Sequence, residues 1–154
     1  DASRGERLFL IDSDRQIPLT AFQPLWQAVE SGRDAAFGVR VRRHDPRLRL
    51  WLTRVVRGTL PLLTGARLVD ANVPFKLLRR RLWDDARGLI PPATLAPSLF
   101  LAVFAATRGF DIAEVPVPHR ERQTGVVSIR RWRLLKFCAS AFGQLLTYRR
   151  KLRT

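Results

Sequence analysis

The feature that most constrains this chain is a short apolar run, residues 8–11, that ends in two carboxylates one residue apart, Asp12 and Asp14. A continuous apolar run of this length is typical of a strand buried on both faces of a mostly parallel sheet. Alternate residues of a strand point to one side, so the two carboxylates should converge past its carboxyl end, where open α/β sheets bind ligands. Oxygen ligands there suit Mg²⁺ or Mn²⁺ holding a diphosphate. Because the pattern is short, an ordinary solvated turn with Asp14 or Thr20 near a helix N-cap explains it equally well.

The charge of the chain narrows the class of partner. The 154 residues suffice for one domain, and their formal net charge is +15. This excess implies an anionic partner, which could be nucleic acid, a phosphorylated substrate or an acidic membrane surface. The single Cys138 excludes an internal disulfide and a cysteine-based zinc site, and two distant histidines do not predict a metal cluster. No run of about 18 uncharged apolar residues indicates a transmembrane helix.

Hydrophobic spacing and turn residues predict alternating helices and strands. Helices are predicted over residues 18–31, 48–63, 79–87, 95–108 and 129–152, and strands over residues 8–11, 35–41, 75–78 and 110–117. Pro116 indicates that the last strand lies at a sheet edge or ends there. The final helix is apolar with basic flanks, so it could lie in a membrane interface or simply cover the sheet.

Polar residues form four groups, each at the end of a predicted strand or in a loop. The groups are Asp12, Asp14 and Gln16; Gly38 and Arg40; the segment 70–76 with Asp70 and Lys76; and His119, Arg122, Gly125 and Ser128. Each group also has a purely structural explanation. Arg40 and Lys76 could be solvated strand residues, Asp70 could cap a turn, and His119 could be a surface histidine.

In this order the groups resemble the second half of family-2 glycosyltransferases of the GT-A fold, in particular the polyprenyl-phosphate (dolichyl-phosphate mannose synthase-like) enzymes. The matching stretches are D-S-D-R-Q, G-V-R, D-A-N-V-P-F-K and V-P-V-P-H-R-E-R-Q-T-G. The resemblance implies a Rossmann-like mixed sheet flanked by helices. Residues 1–128 would form the C-terminal portion of the glycosyltransferase domain and residues 129–154 a basic amphipathic interfacial helix. The family's nucleotide-binding first half has no counterpart here, so we expect a partial chain.

The resemblance also implies roles for individual residues. Asp12, Asp14 and Gln16 match the family's metal and nucleotide-diphosphate site. Arg40 and Arg122 match arginines that hold the acceptor phosphate, a task for which bidentate, permanently charged guanidiniums are suited. Three further residues are expected to bind substrate, namely Lys76, His119 and Ser128. Asp70 matches a catalytic position near the sugar, although Pro74 replaces the family's usual glycine in that loop.

The absence of an acidic residue after this loop is informative about the chemical class of the acceptor. Many family-2 enzymes carry an acidic pair on the helix after this loop, and one member acts as general base on a sugar hydroxyl. Residues 93–100 contain no carboxylate. A hydroxyl acceptor needs a base, whereas a phosphate is already an anion at neutral pH. The absence favours a lipid-phosphate acceptor, although Asp70 or the missing half could supply a base.

The resemblance therefore implies an inverting, metal-dependent transfer of sugar from a nucleotide-sugar donor to a polyprenyl phosphate. The expected location is peripheral, on the cytoplasmic face of the membrane, with the membrane surface and the missing half or another subunit as partners. The alternatives are a hydroxyl acceptor, a non-catalytic basic membrane-surface domain or a nucleic-acid-binding domain. Nucleic acid is not the expected partner, because the arginines are spread over every segment and no recognition motif is present.

Overall fold

The core of the molecule is a four-stranded mixed sheet with helices on both faces. In the computed structural model the strands are β1 (Arg7–Ile11), β2 (Ala35–Val41), β3 (Phe75–Arg79) and β4 (Ile112–Pro118), in the order β1-β3-β2-β4. Strand β3 is antiparallel to β1 and β2, and β2 is parallel to β4. The structure describes residues 3–41, 54, 58, 60–61, 65, 67–91, 93–94, 96–119, 139–140, 142–148 and 150.

Three helices complete the described fold. A 3₁₀ turn (Leu19–Ala21) leads into α1 (Phe22–Glu30), α2 (Arg80–Arg87) follows β3, and α3 (Pro97–Thr107) precedes β4. Pro97 stands in the first turn of α3, where its missing N–H costs nothing, and Gly109 takes a left-handed φ of 74° just past the helix. The predicted strands and these helices are thus confirmed within a few residues. The predicted helix over 48–63 lies largely outside the described residues.

The prediction for residues 8–11 is right about the strand and wrong about its neighbours. Strand β1 is half-buried, pairs only with β3 in the described sheet and runs antiparallel to it. Residues 8–11 are all apolar because Phe9 packs on the α1 side, while Leu8 and Leu10 pack on the α3 side. Helices therefore cover both faces of this strand although its neighbour is antiparallel. Thr20 is also not a helix N-cap, since it lies within the 3₁₀ turn and α1 begins two residues later.

Two apolar layers sandwich the sheet. On one face, Leu25 and Val29 of α1 are fully buried against Phe75. On the other face, α3 is buried on eight of its eleven residues, with Phe100 at its centre. An apolar sequence on all sides suits this position, because a helix that is hydrophobic all round must be covered all round. The edge position predicted from Pro116 is confirmed, since β4 ends the described sheet.

The described part of the C-terminal helix packs on the core. Within residues 142–148, Leu145 and Tyr148 are buried, and the Tyr148 ring lies edge-on to Phe100 with centroids 4.9 Å apart. Phe142 and Leu146 are 41% and 40% exposed. This stretch therefore covers the sheet and also presents apolar side chains outward. A separate interfacial helix over 129–154 stays a prediction. Within the described residues, no helix has the length and apolar character needed to cross a bilayer.

Gly38 sits where β2 touches both neighbouring strands. A Cβ there would lie 3.1 Å from the Phe75 carbonyl oxygen and 3.2 Å from Cγ2 of Val117. We expect Gly38→Ala to lower the free energy of unfolding by about 1–3 kcal/mol, since the backbone of β3 cannot yield without disturbing the sheet. Urea denaturation measures the loss. Gly88→Ala is the matched control, because no atom lies within 4 Å of its added Cβ. Equal stability of the two variants would contradict this account of Gly38.

Candidate active site

The topology gathers the predicted site residues at one edge of the sheet. Strands β1, β2 and β4 run in the same direction, so their carboxyl ends meet there, and β3 begins there because it runs oppositely. An open cavity lies at this edge. It is lined by Ile11, Asp12, Asp14, Gln16, Ile17, Arg40, Val73, Pro74, Phe75 and His119. The acidic pair and Arg40, which belong to separate groups in the sequence, therefore line one cavity.

The acidic pair occupies a tight turn. The backbone N–H of Gln16 donates to Oδ1 of Asp14 at 3.1 Å, and Arg15 between them takes a left-handed φ of 57°. This conformation disfavours a residue with a Cβ, and such residues persist mainly at functional sites. The turn places the Gln16 side chain in the same cavity as both carboxylates.

The environment of Asp12 disfavours its negative charge. Partial burial raises the pKa of Asp12, the negative charge of Asp14 raises it further, and Arg40 and Lys76 oppose this rise. Burial and the like charge of Asp14 disfavour the ionised carboxylate, whereas the two cations favour it. A cation between the carboxylates would also favour the ionised form.

The donor set fits a hard divalent ion. Asp12, Asp14 and Gln16 offer oxygens only, and Mg²⁺ typically takes one or two carboxylates with the rest of its shell from water and substrate phosphate. Among the described residues no cluster of three or more His, Cys, Asp or Glu side chains could hold a metal. A site here would therefore use this pair and substrate oxygens.

Arg40 and Asp70 form a bidentate ion pair at the wall of the cavity. Nε and Nη2 of Arg40 donate to the two carboxylate oxygens of Asp70 at 2.8 and 3.0 Å. The Asp70 side chain is only 5% exposed. Of the five N–H groups of a guanidinium, three stay available to a ligand in the cavity.

Asp70 lies behind the wall of the cavity. The residue is not among those that line the cavity, and each of its carboxylate oxygens accepts a hydrogen bond from Arg40. In this structure the carboxylate orients the guanidinium. The catalytic role of Asp70 stays a prediction.

The expectation of a solvated Lys76 is wrong, because the residue is fully buried. Lys76 is not among the residues that line the cavity, and its contact with substrate stays a prediction. On β3 it faces the same side as Leu78, toward α3, and its ammonium donates to the Ala71 and Val73 carbonyls and to Oγ of Ser98. Burial lowers the pKa of Lys76 to about 7, although Asp70 and Asp12 counteract part of the fall.

The remaining predicted residues divide between the cavity and the undescribed part of the chain. His119 lines the cavity, as its position past β4 suggested. Arg122 and Ser128 lie outside the described residues, so their roles stay predictions. Sequence reasoning missed Ser98, whose only signal is a hydroxyl within an otherwise apolar helix.

Relatives of the chain are sugar transferases. It is 26% identical over 137 residues to undecaprenyl-phosphate 4-deoxy-4-formamido-L-arabinose transferase of Pseudomonas aeruginosa, covering 88% of this chain and 38% of the relative. The enzymes of the same name from Erwinia tasmaniensis and Klebsiella pneumoniae are 26% and 25% identical, and each match covers 79% of this chain and 36% of the relative. The chain thus spans little more than a third of these proteins. No protein-family profile matches it.

A solved structure shares the fold. Glucosyl-3-phosphoglycerate synthase from Mycobacterium tuberculosis, in complex with phosphoglyceric acid, superposes with a TM-score of 0.65 at 17% identity, over 96% of this chain and 51% of that one. This likeness concerns the fold alone and identifies it as GT-A-like. Together with the sequence relatives and the acidic pair at the sheet edge, it makes this chain similar to part of a family-2 glycosyltransferase.

Proposed function

We propose that the protein carrying this chain transfers a sugar from a nucleotide-sugar donor to a polyprenyl phosphate, with inversion at the anomeric carbon. The observation that carries the proposal is the single cavity in which Asp12 and Asp14 face Arg40. Acidic oxygens on one wall suit a cation with a diphosphate, and a guanidinium on another wall suits a second phosphate. The names of the sequence relatives support the same acceptor class.

The residues divide the work of positioning two anionic groups. Asp12, Asp14 and Gln16 would hold Mg²⁺ or Mn²⁺, which supplies charge neutralisation of the leaving diphosphate when bound. Arg40, oriented by Asp70, uses its free N–H groups to hold the attacking phosphate. His119 lines the same cavity and can contact either group.

The structure also weighs against a hydroxyl acceptor. Such an acceptor requires a general base within hydrogen-bond reach of its proton. Asp70, the candidate base within this chain, is buried and paired through both oxygens with Arg40. Residues 93–100 contain no carboxylate. A phosphate acceptor needs no base, so it fits these residues better.

Association with the membrane belongs to the same proposal. A polyprenyl phosphate resides in a bilayer, so the cavity must open near the cytoplasmic membrane surface. The net charge of +15 favours an anionic leaflet, and Phe142 and Leu146 are apolar and outward-facing. We place the protein peripherally on that face.

A transfer assay tests the proposal. The full-length protein that carries this chain is incubated with a panel of nucleotide sugars and a short-chain polyprenyl phosphate, with Mg²⁺, Mn²⁺ or chelator. We expect a glycolipid whose anomeric configuration, read by NMR, is inverted relative to the donor. The matching polyprenol without phosphate is the control acceptor. Transfer to the polyprenol but not to the phosphate would overturn the proposed acceptor class.

The substitution Arg40→Lys tests whether Arg40 binds the acceptor phosphate. We expect kcat/KM for the polyprenyl phosphate to fall by roughly tenfold to a hundredfold, mainly through KM, because one ammonium cannot hold Asp70 bidentately and a phosphate as well. The matched control is Arg33→Lys, since Arg33 pairs with Asp111 at 2.5 Å at the opposite end of the sheet. Steady-state kinetics with varied acceptor gives the result. An equal effect of both substitutions would remove Arg40 from the acceptor site.

A further inference from the structure

Lys76 is a buried cation for which the proposed reaction has no direct use. Its side chain is fully buried and lies outside the cavity, with Nζ 5.1 Å from the centroid of the Phe37 ring. An apolar residue would fill this space without the desolvation cost of an ammonium. What the ammonium adds is directional hydrogen bonding.

The acceptors of that ammonium link two parts of the fold. Nζ donates to the carbonyls of Ala71 and Val73 and to Oγ of Ser98 in the first turn of α3. Three acceptors match the three protons of an ammonium. Oγ of Ser98 in turn donates to the Val73 carbonyl at 2.9 Å. The segment 71–73 is thereby bonded to α3, which is itself buried on most of its surface.

This segment connects Asp70, which orients Arg40, to the residues that line the cavity after it. Immediately before it stands Asp70, whose carboxylate orients Arg40. At its other end Val73, Pro74 and Phe75 line the cavity. A shift of the segment would therefore displace both the guanidinium and the wall that it faces.

We propose that Lys76 is a positioning residue which, with Ser98, fixes the segment 70–74 on α3 and so holds Arg40 in place for the acceptor phosphate. The inference rests on the proposed function only for the identity of the ligand that Arg40 holds. The placement itself can be tested without catalysis.

Hydrogen exchange of the full-length protein tests the placement. Lys76→Met keeps the length and apolar stem of the side chain and removes every donor. We expect the amides of residues 70–73 to exchange about tenfold faster or more, while those of α1 do not change. Ser98→Ala should act in the same direction with a smaller effect. Arg87→Met, which removes an exposed cation paired with Asp84, is the control and should leave the exchange of residues 70–73 unchanged.

Kinetics separate a positioning role from general damage. We expect Lys76→Met to raise KM for the polyprenyl phosphate about tenfold and to leave KM for the nucleotide sugar nearly unchanged, because the acidic pair stands on another element. A loss of transfer with normal exchange at residues 70–73 would overturn the inference, and so would normal exchange with normal transfer.

The two proposals fail in different ways. If the unaltered protein transfers no sugar to any polyprenyl phosphate, the proposed function falls while the exchange measurement still decides the placement. If Lys76→Met does not fold, hydrogen exchange of the Ser98→Ala variant tests the placement of the segment instead. Unchanged exchange at residues 70–73 in that variant would overturn the role of Lys76.

Discussion

Asp14→Asn is expected to reduce sugar transfer by roughly a thousandfold, the largest effect that the site predicts for a single atom change. The amide keeps an oxygen at Oδ1, so the hydrogen bond from the Gln16 N–H at 3.1 Å can persist and the turn should keep its shape. What disappears is the negative charge that shares the cavity with Asp12. Transfer assays at saturating donor, with Mg²⁺ or Mn²⁺ titrated in each case, measure the loss.

The control for this substitution is an aspartate of the same type away from the cavity. Asp84 lies in α2, 41% exposed and paired with Arg87, and Asp84→Asn should retain nearly full activity. Thermal unfolding checks that both variants fold. Chelation of divalent ions should reproduce the loss in the unaltered protein. Transfer by Asp14→Asn at the normal rate, or transfer unaffected by chelator, would refute the metal site.

The location of the site was predictable because it depends on local signals that the topology preserves. An apolar run followed by D-x-D marks a strand end, Arg40 lies near the end of a second predicted strand, and His119 follows a third. Strand ends that share a direction meet at one edge. The sequence could not predict the direction of the strand next to β1. A strand buried on both faces has the same continuous apolar pattern whether the adjacent strand is parallel or antiparallel.

The contacts between side chains within the site were not predictable, because they join residues that are distant in the sequence. Asp70 and Arg40 are thirty residues apart and belong to different predicted groups, so each looked like an independent contact for substrate. Lys76 stands in a stretch whose alternation is masked by apolar residues on both sides. Only the position of Ser98 and the two loop carbonyls shows that its charge faces inward. Sequence identified the chemistry available, and the tertiary contacts decide which groups meet the ligand.

Lys76→Met should also change how stability depends on pH. The pKa of Lys76 is lowered from its usual 10.5 to about 7 in the folded chain, mainly by burial. Between these values the unfolded chain binds the proton more tightly, so the free energy of unfolding rises with pH across this window. Below about pH 7 the protein carries the whole cost of the buried ammonium, and near pH 10.5 it carries none. Methionine has no such dependence.

The expected result is a difference in the free energy of unfolding between Lys76→Met and the unaltered chain that changes with pH. At about 1.4 kcal/mol for each tenfold change in proton affinity, the stability of Lys76→Met relative to the unaltered chain should fall by roughly 3–5 kcal/mol from about pH 6.5 to about pH 10. Urea denaturation of the full chain across this range measures it. Other groups titrate in both proteins and cancel in the difference.

The groups that face Lys76 determine how the test is read. Asp70 and Asp12 favour its protonation, whereas Arg40 opposes it. Asp12 belongs to the acidic pair, so the titration is best measured at low ionic strength without divalent ions, which would alter that carboxylate's charge. If the difference in the free energy of unfolding between the two proteins stayed constant across this pH range, the ammonium would have an ordinary pKa. The hydrogen bonds from Nζ to Ala71, Val73 and Ser98, which favour the charged form, would then offset the cost of burial.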